Sequence, residues 1–271
     1  MGCPCHSGSA RDSVAAPMTS KTVHLPVLPT NLRKDAWWVG PALTVLVLLG
    51  FIVYATFRAF EGTSYEWQAY LSPFYSPFFD ETWAKGMGLG FFTPAMLILP
   101  GPASFRFTCY YYRKAYYRAF AWDPPACAIP ERKSHGYNGE TKLLLFQNLH
   151  RYAMYVALIF LVILYKDVVV AVIGWKDGVH VGVGTLVMLA NVILLTGYTC
   201  GCHSFRHLVG GGVNSYSRAS LGGFRHALWK LVTVLNERHQ PLAWASLFSV
   251  ALTDVYIRMV ASGAITDVRL F

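Results

Sequence analysis

Cysteine and histidine stand out in this chain of 271 residues because of where they fall. Cys109, Cys127, His150, Cys200, Cys202, His203, His207 and His239 lie near one end of long apolar segments, and His180 falls at the other end. Thiolate and imidazole are the side chains that bind soft and borderline transition metals. At about 1.5 Å per helical residue, these side chains can share a layer roughly 15 Å from one membrane face. Singly, each has a plain structural reading. A buried Cys behaves as a small hydrophobe, and a His in an apolar helix can be satisfied by interhelical hydrogen bonds. Gathered in one layer, they point to a bound metal or cofactor.

Three metal chemistries fit these residue types. Haem b needs two axial His on facing helices, which His150 with His207 or His239 can supply. A Rieske-type [2Fe–2S] cluster needs two Cys on one iron and two His on the other. Zinc takes the same ligands. Cys200-Gly201-Cys202-His203 carries the Cys-x-x-His spacing of one Rieske ligand loop, and Cys3-Pro4-Cys5-His6 repeats it. The companion Cys-x-His motif is absent, and the amino-terminal copy reads as incidental or as a surface metal site. A quinone head group needs hydrogen-bond donors beside an apolar channel. Arg106, Gln147, Asn148, Arg151, Trp244 and the run Tyr110-Tyr111-Tyr112 lie at the same level, although interfacial tyrosines are also ordinary membrane-belt residues.

The elements that must position these groups are transmembrane helices. Hydrophobic residues make up 54% and charged residues 14% of the chain, against about 25% charged in a soluble globule. Mean hydropathy is +0.37. An all-α integral membrane bundle of about five helices is expected. The spans run over about 37–57, 86–112, 143–165, 181–208 and 231–260, with Pro94, Pro100 and Pro102 kinking the second and Pro241 inside the fifth. Residues 1–30 read as a flexible arm without a signal-peptide core, and 31–271 as the membrane domain. Fifteen Lys and Arg fall on one side of this topology and six on the other. The thiol–imidazole layer and the amino terminus are therefore expected to be cytoplasmic, in a multi-pass protein of the inner membrane. The same asymmetry accounts for the net charge of +9 without nucleic acid, for which no basic soluble module is seen. Asp254 and Arg258, four apart in the last span, are expected to pair.

Several separated segments carry a family resemblance. They are 107–118 (Phe107-Thr108-Cys109-Tyr110-Tyr111-Tyr112 through Arg118), Pro124-Pro125-Ala126-Cys127, Gln147-Asn148-Leu149-His150-Arg151-Tyr152, Cys202-His203-Ser204-Phe205-Arg206-His207, His239-Gln240-Pro241-Leu242-Ala243-Trp244, and the loop Leu71-Ser72-Pro73-Phe74-Tyr75-Ser76-Pro77. Over residues 35–265 the chain resembles the membrane anchor of actinobacterial-type (type F) succinate dehydrogenase. The resemblance implies a five-helix anchor that holds a flavoprotein and an iron–sulfur protein on the cytoplasmic face and passes electrons to quinone. It also implies an embedded Rieske-type [2Fe–2S] cluster ligated by two Cys and two His. One ligand per helix gives Cys109, His150, Cys202 and His239, with Cys127, His203 and His207 in reserve. His203 and His207, four apart, form an alternative pair. Arg106, Arg151, Tyr110 and Trp244 are the quinone candidates. The chain has no flavin fingerprint or nucleotide loop, so succinate itself is expected to be oxidised elsewhere in the complex. The rivals are a bis-His haem b anchor, a five-helix transporter and a plain scaffold with structural Cys and His. No inverted repeat or midplane polar site favours the transporter.

Overall fold

The computed structural model describes residues 35–78, 92–123, 125–127, 129, 142–175 and 178–270. The Cys3-Pro4-Cys5-His6 motif and the amino-terminal arm lie outside them. The fold is an all-α membrane bundle. Four helices are long and apolar enough to cross a bilayer: α1 (Val39–Glu61), α5 (Leu143–Ile173), α6 (Val183–Cys200) and α9 (His239–Ala261). The shorter helices are α2 (Pro94–Ile98), α3 (Pro100–Thr108), α4 (Tyr110–Phe120), α7 (His203–Val209) and α8 (Gly222–Glu237).

Where the apolar pattern alone predicts unbroken spans, local chemistry breaks them. The described part of the expected second span is three short helices. Pro94 and Pro100 each occupy a first helical turn, where the missing N–H costs nothing. Cys109 leaves the helix altogether at φ −61° and ψ 126°, so the chain turns a corner on that residue. The expected fourth span ends at Cys200, and α7 restarts after an extended Cys202. A Cβ at Gly201 would stand 3.0 Å from the Leu235 carbonyl, so only glycine lets the end of α6 approach α8 this closely. The expected fifth span is two helices, divided at Arg238. Pro241 therefore sits in the first turn of α9, where proline is tolerated.

Long α1 is closed by Gly62 in the left-handed region at φ 62°. It presents Leu43, Leu46, Val53 and Phe57 outward, each more than half exposed, an apolar surface that suits lipid. Between α1 and α2 lies a small hairpin, β1 (Glu66–Trp67) with β2 (Tyr70–Leu71), paired Glu66 to Leu71 and Trp67 to Tyr70. It caps the end of the bundle opposite the thiol–imidazole layer.

The carboxy-terminal strap ties down that same end. Gly182 bridges Arg269, and the Asp267 carboxylate accepts from Tyr70 (2.8 Å), Tyr256 (2.6 Å) and the Gly184 amide (2.9 Å). Burial pushes the Tyr70 phenol up to about 12, so it remains a donor. Burial opposes the charge on Asp267, but the bonds from Tyr256, Gly184, Tyr70 and His180 outweigh it and hold the carboxyl below its ordinary value. A depressed carboxyl contributes stability above the unfolded value of about 3.9, and that stability is lost as pH falls through the lower folded value. Asp267→Asn should therefore lower the melting temperature by a few degrees at pH 7 and by progressively less below pH 4. Equal losses at both pH values in a thermal unfolding series would contradict the assignment.

Candidate functional site

At the thiol–imidazole end, four elements converge on one buried cluster. Cys109 comes from the α3–α4 corner and Cys202 from the α6–α7 corner, 2% and 1% exposed. Both pack with Phe105, Tyr112, Met154, Tyr198, Ala243 and Leu247. His150, 4% exposed, enters from the second turn of α5. His239 is the first residue of α9 and half-buried. Breaking the spans at 109, 201 and 238 is what turns three of these side chains inward.

The contacts are specific. Cys109 Sγ stands 3.4 Å from His239 Nε2. His150 Nδ1 is 3.0 Å from Thr108 Oγ1, which fixes the ring, and Thr108 in turn donates to the Ser104 carbonyl at 2.7 Å. The His150 ring stacks on Phe105 at 4.7 Å, and the His239 ring stacks on Tyr198 at 5.0 Å. Two buried polar atoms in this nest, His239 Nδ1 and the Tyr198 hydroxyl, have no hydrogen-bond partner among the described residues. Leaving such an atom unsatisfied costs about 1–3 kcal/mol, so the nest suits a further group. Among the described residues, no group of three or more His, Cys, Asp or Glu gathers closely enough to hold one metal ion. A two-iron cluster divides its four ligands into pairs, and two Cys with two His from separate elements fit that donor set.

Beside the nest lies an apolar cavity of about 470 Å³ between α1, α3, α5 and α6. Phe105, Tyr198 and Arg106 form its wall nearest the imidazoles. Arg106 donates to the Tyr112 hydroxyl (2.7 Å), the Ala243 carbonyl (3.1 Å) and Ser246 (2.9 Å), and its guanidinium lies 4.7 Å from the centre of the Tyr198 ring.

Of the remaining sequence candidates, Trp244 packs against the edge of the nest. Arg151 and Tyr110 are exposed, and Trp244 donates to the Tyr111 hydroxyl at 2.6 Å. Cys127, His203 and His207 are exposed, and Cys200 is half-buried two residues before Cys202. The sequence reading missed Thr108, Phe105 and Tyr198 as supports. Tyr198 carried a usable signal, a hydroxyl one turn before Cys202 in an apolar helix.

At the opposite end, Arg258 Nε reaches both Asp254 oxygens at 3.1 and 2.9 Å, the expected pairing.

A family model described as actinobacterial succinate dehydrogenase subunit SdhC matches residues 39–263. A solved structure entitled "Mycobacterium smegmatis Sdh1 complex in the apo form" contains a chain similar to this one. The two are 40% identical with a TM-score of 0.81, over 92% of this chain and 97% of that one. Curated proteins gave no match.

Proposed function

The chain belongs to the family of actinobacterial succinate dehydrogenase SdhC subunits, multi-pass membrane components of that complex, and from this premise we propose that it carries electrons to a membrane quinone through a Rieske-type [2Fe–2S] cluster. Cys109, Cys202, His150 and His239 would hold the cluster. The observation that carries this reading is the buried nest itself. It brings a thiol within 3.4 Å of an imidazole whose other nitrogen has no partner, one aromatic ring away from an apolar cavity.

When bound, a cluster of this kind passes single electrons at a potential raised by its imidazole ligands. The chain's own residues supply the rest. Thr108 orients His150. Phe105 and Tyr198 separate the imidazoles from the cavity by the thickness of one ring. The apolar walls suit a quinone tail. Three of the five N–H donors of Arg106 are engaged within the bundle. The other two can polarise a quinone carbonyl, and the cation stabilises charge that develops on it. Charge asymmetry assigns this end to the cytoplasm, where an iron–sulfur subunit and its flavoprotein would dock and from which protons would reach the quinol.

The test is metal and acid-labile sulfide analysis with EPR on the purified complex. A rhombic Rieske-like signal with iron and sulfide attributable to this subunit supports the reading. A Soret and α-band without that signal would replace it with bis-His haem b. Arg106→Leu should lower kcat/KM for quinone by roughly 10²-fold while leaving the EPR signal intact. Unchanged quinone kinetics would remove Arg106 from the site.

A further inference from the structure

Two further cavities flank the α1–α4 contact; the inner one reaches Tyr111 and Trp244 at the edge of the nest, and Lys114, Arg118 and the α1 residues that line the two belong to no proposed ligand or quinone contact. One, of about 410 Å³, is lined by Trp37, Gly40 and Thr44 of α1 and its lead-in, by Lys114 and Arg118 of α4, and by Gln240 of α9. The other, of about 540 Å³, is an apolar groove between Ala42, Val45, Leu46 and Leu49 of α1 and Ala119 with Trp122. The two cavities share Ala119. Trp37 of the first touches Trp122 of the second edge to face, ring centroids 5.3 Å apart. Lys114 and Arg118 are four apart on one helix, so their charges sit on the same face.

Charge, polarity and length all describe one ligand class. Two cations and hydrogen-bonding groups at the helix ends suit a phosphate. Trp37, Trp38 and Trp122 around them mark the level of lipid head groups. From Trp38 to Leu49 the groove runs roughly 16 Å along α1, about the depth of one leaflet of a ~30 Å hydrocarbon core. We propose that this paired cavity is a binding site for an anionic phospholipid, its phosphate between Lys114 and Arg118 and one acyl chain laid along Ala42, Val45, Leu46 and Leu49. The site buttresses α1, whose outward face is otherwise bare. The inference goes beyond the electron-transfer reading and stands without it, since it uses neither the cluster nor the quinone.

The experiment uses the intact complex, stripped of lipid in detergent and titrated with phosphatidylglycerol, phosphatidylcholine of matched chains, or inorganic phosphate. Adducts are read by native mass spectrometry. Phosphatidylglycerol should bind at least tenfold more tightly than phosphatidylcholine. Lys114→Gln/Arg118→Gln should remove most of that preference. Leu46→Trp, which fills the groove and keeps both cations, should weaken both lipids alike. Normal assembly of each variant complex controls for misfolding. Equal affinity for the two lipids, an unchanged preference in the double variant, or full displacement by inorganic phosphate would each overturn the proposal. The succinate–quinone activity of the double variant in a fixed lipid should stay near that of the parent protein, which separates this site from the electron path.

Discussion

Replacing His239 by Ala should abolish a Rieske-type EPR signal and reduce succinate–quinone electron transfer to about 1% or less, while succinate oxidation by a soluble dye acceptor persists. The size follows from the geometry. His239 Nε2 is 3.4 Å from Cys109 Sγ, and its Nδ1 is buried without a partner. Removing the ring thus deletes a proposed ligand and leaves the Cys109 thiol without the imidazole beside it. His203 and His207 are exposed on α7. Thr108→Val provides the graded comparison. It keeps every ligand but frees His150 Nδ1 from the 3.0 Å contact that orients it. Loss of such a supporting bond typically costs 10–100-fold in metal affinity or activity. A shifted EPR line shape or midpoint potential would reveal it even if turnover changed little. Full quinone reduction in His239→Ala, with the complex assembled, would sink the cluster assignment for this residue.

Much of this arrangement was legible before any coordinates. The apolar blocks gave the bundle, and the clustering of Cys and His at one end of each block gave the layer. That argument worked because helical rise converts sequence position into depth. It could not give azimuth. Cys109, Cys127, His203 and His207 all sit at plausible depths, yet only Cys109 of these turns inward, because the helix breaks on it and the chain rotates there. Breaks of this kind depend on local backbone chemistry. An extended Cys109, a close approach at Gly201 and a division at Arg238 are invisible to a hydropathy window that averages across them. Arg106 and Arg151 show the same limit. Both are cations at the layer's depth, but one is folded into a web of three bonds on α3 and the other faces out from α5.

The second large effect concerns the opposite end, where charge is buried for architecture. Asp254 is wholly buried and Arg258 is 4% exposed. Besides their mutual pairing, Arg258 reaches Glu61 at 3.0 Å and the Thr63 carbonyl at 2.6 Å, and Asp254 accepts from Tyr54 and Ser72. Arg58 pairs with Glu61 and lies 4.0 Å from Asp254. Two arginines thus balance two carboxylates, and the network joins α1, the segment after the hairpin and α9. Asp254→Leu would leave an excess cation in a largely buried network, at a cost of about 3–5 kcal/mol. Replacing both members, Asp254→Leu with Arg258→Met, removes the unpaired charge together with its partner, so much of that loss should be recovered. The melting temperatures of the complex carrying each single variant and the pair, in one detergent, measure the coupling. Additive losses would show that the ions do not act as a unit. The same series separates architecture from transport. If Asp254 only braces the bundle, quinone turnover per folded complex is unchanged in the double variant. If Asp254 relays protons through the membrane, turnover falls in the stable double variant as far as in the single one.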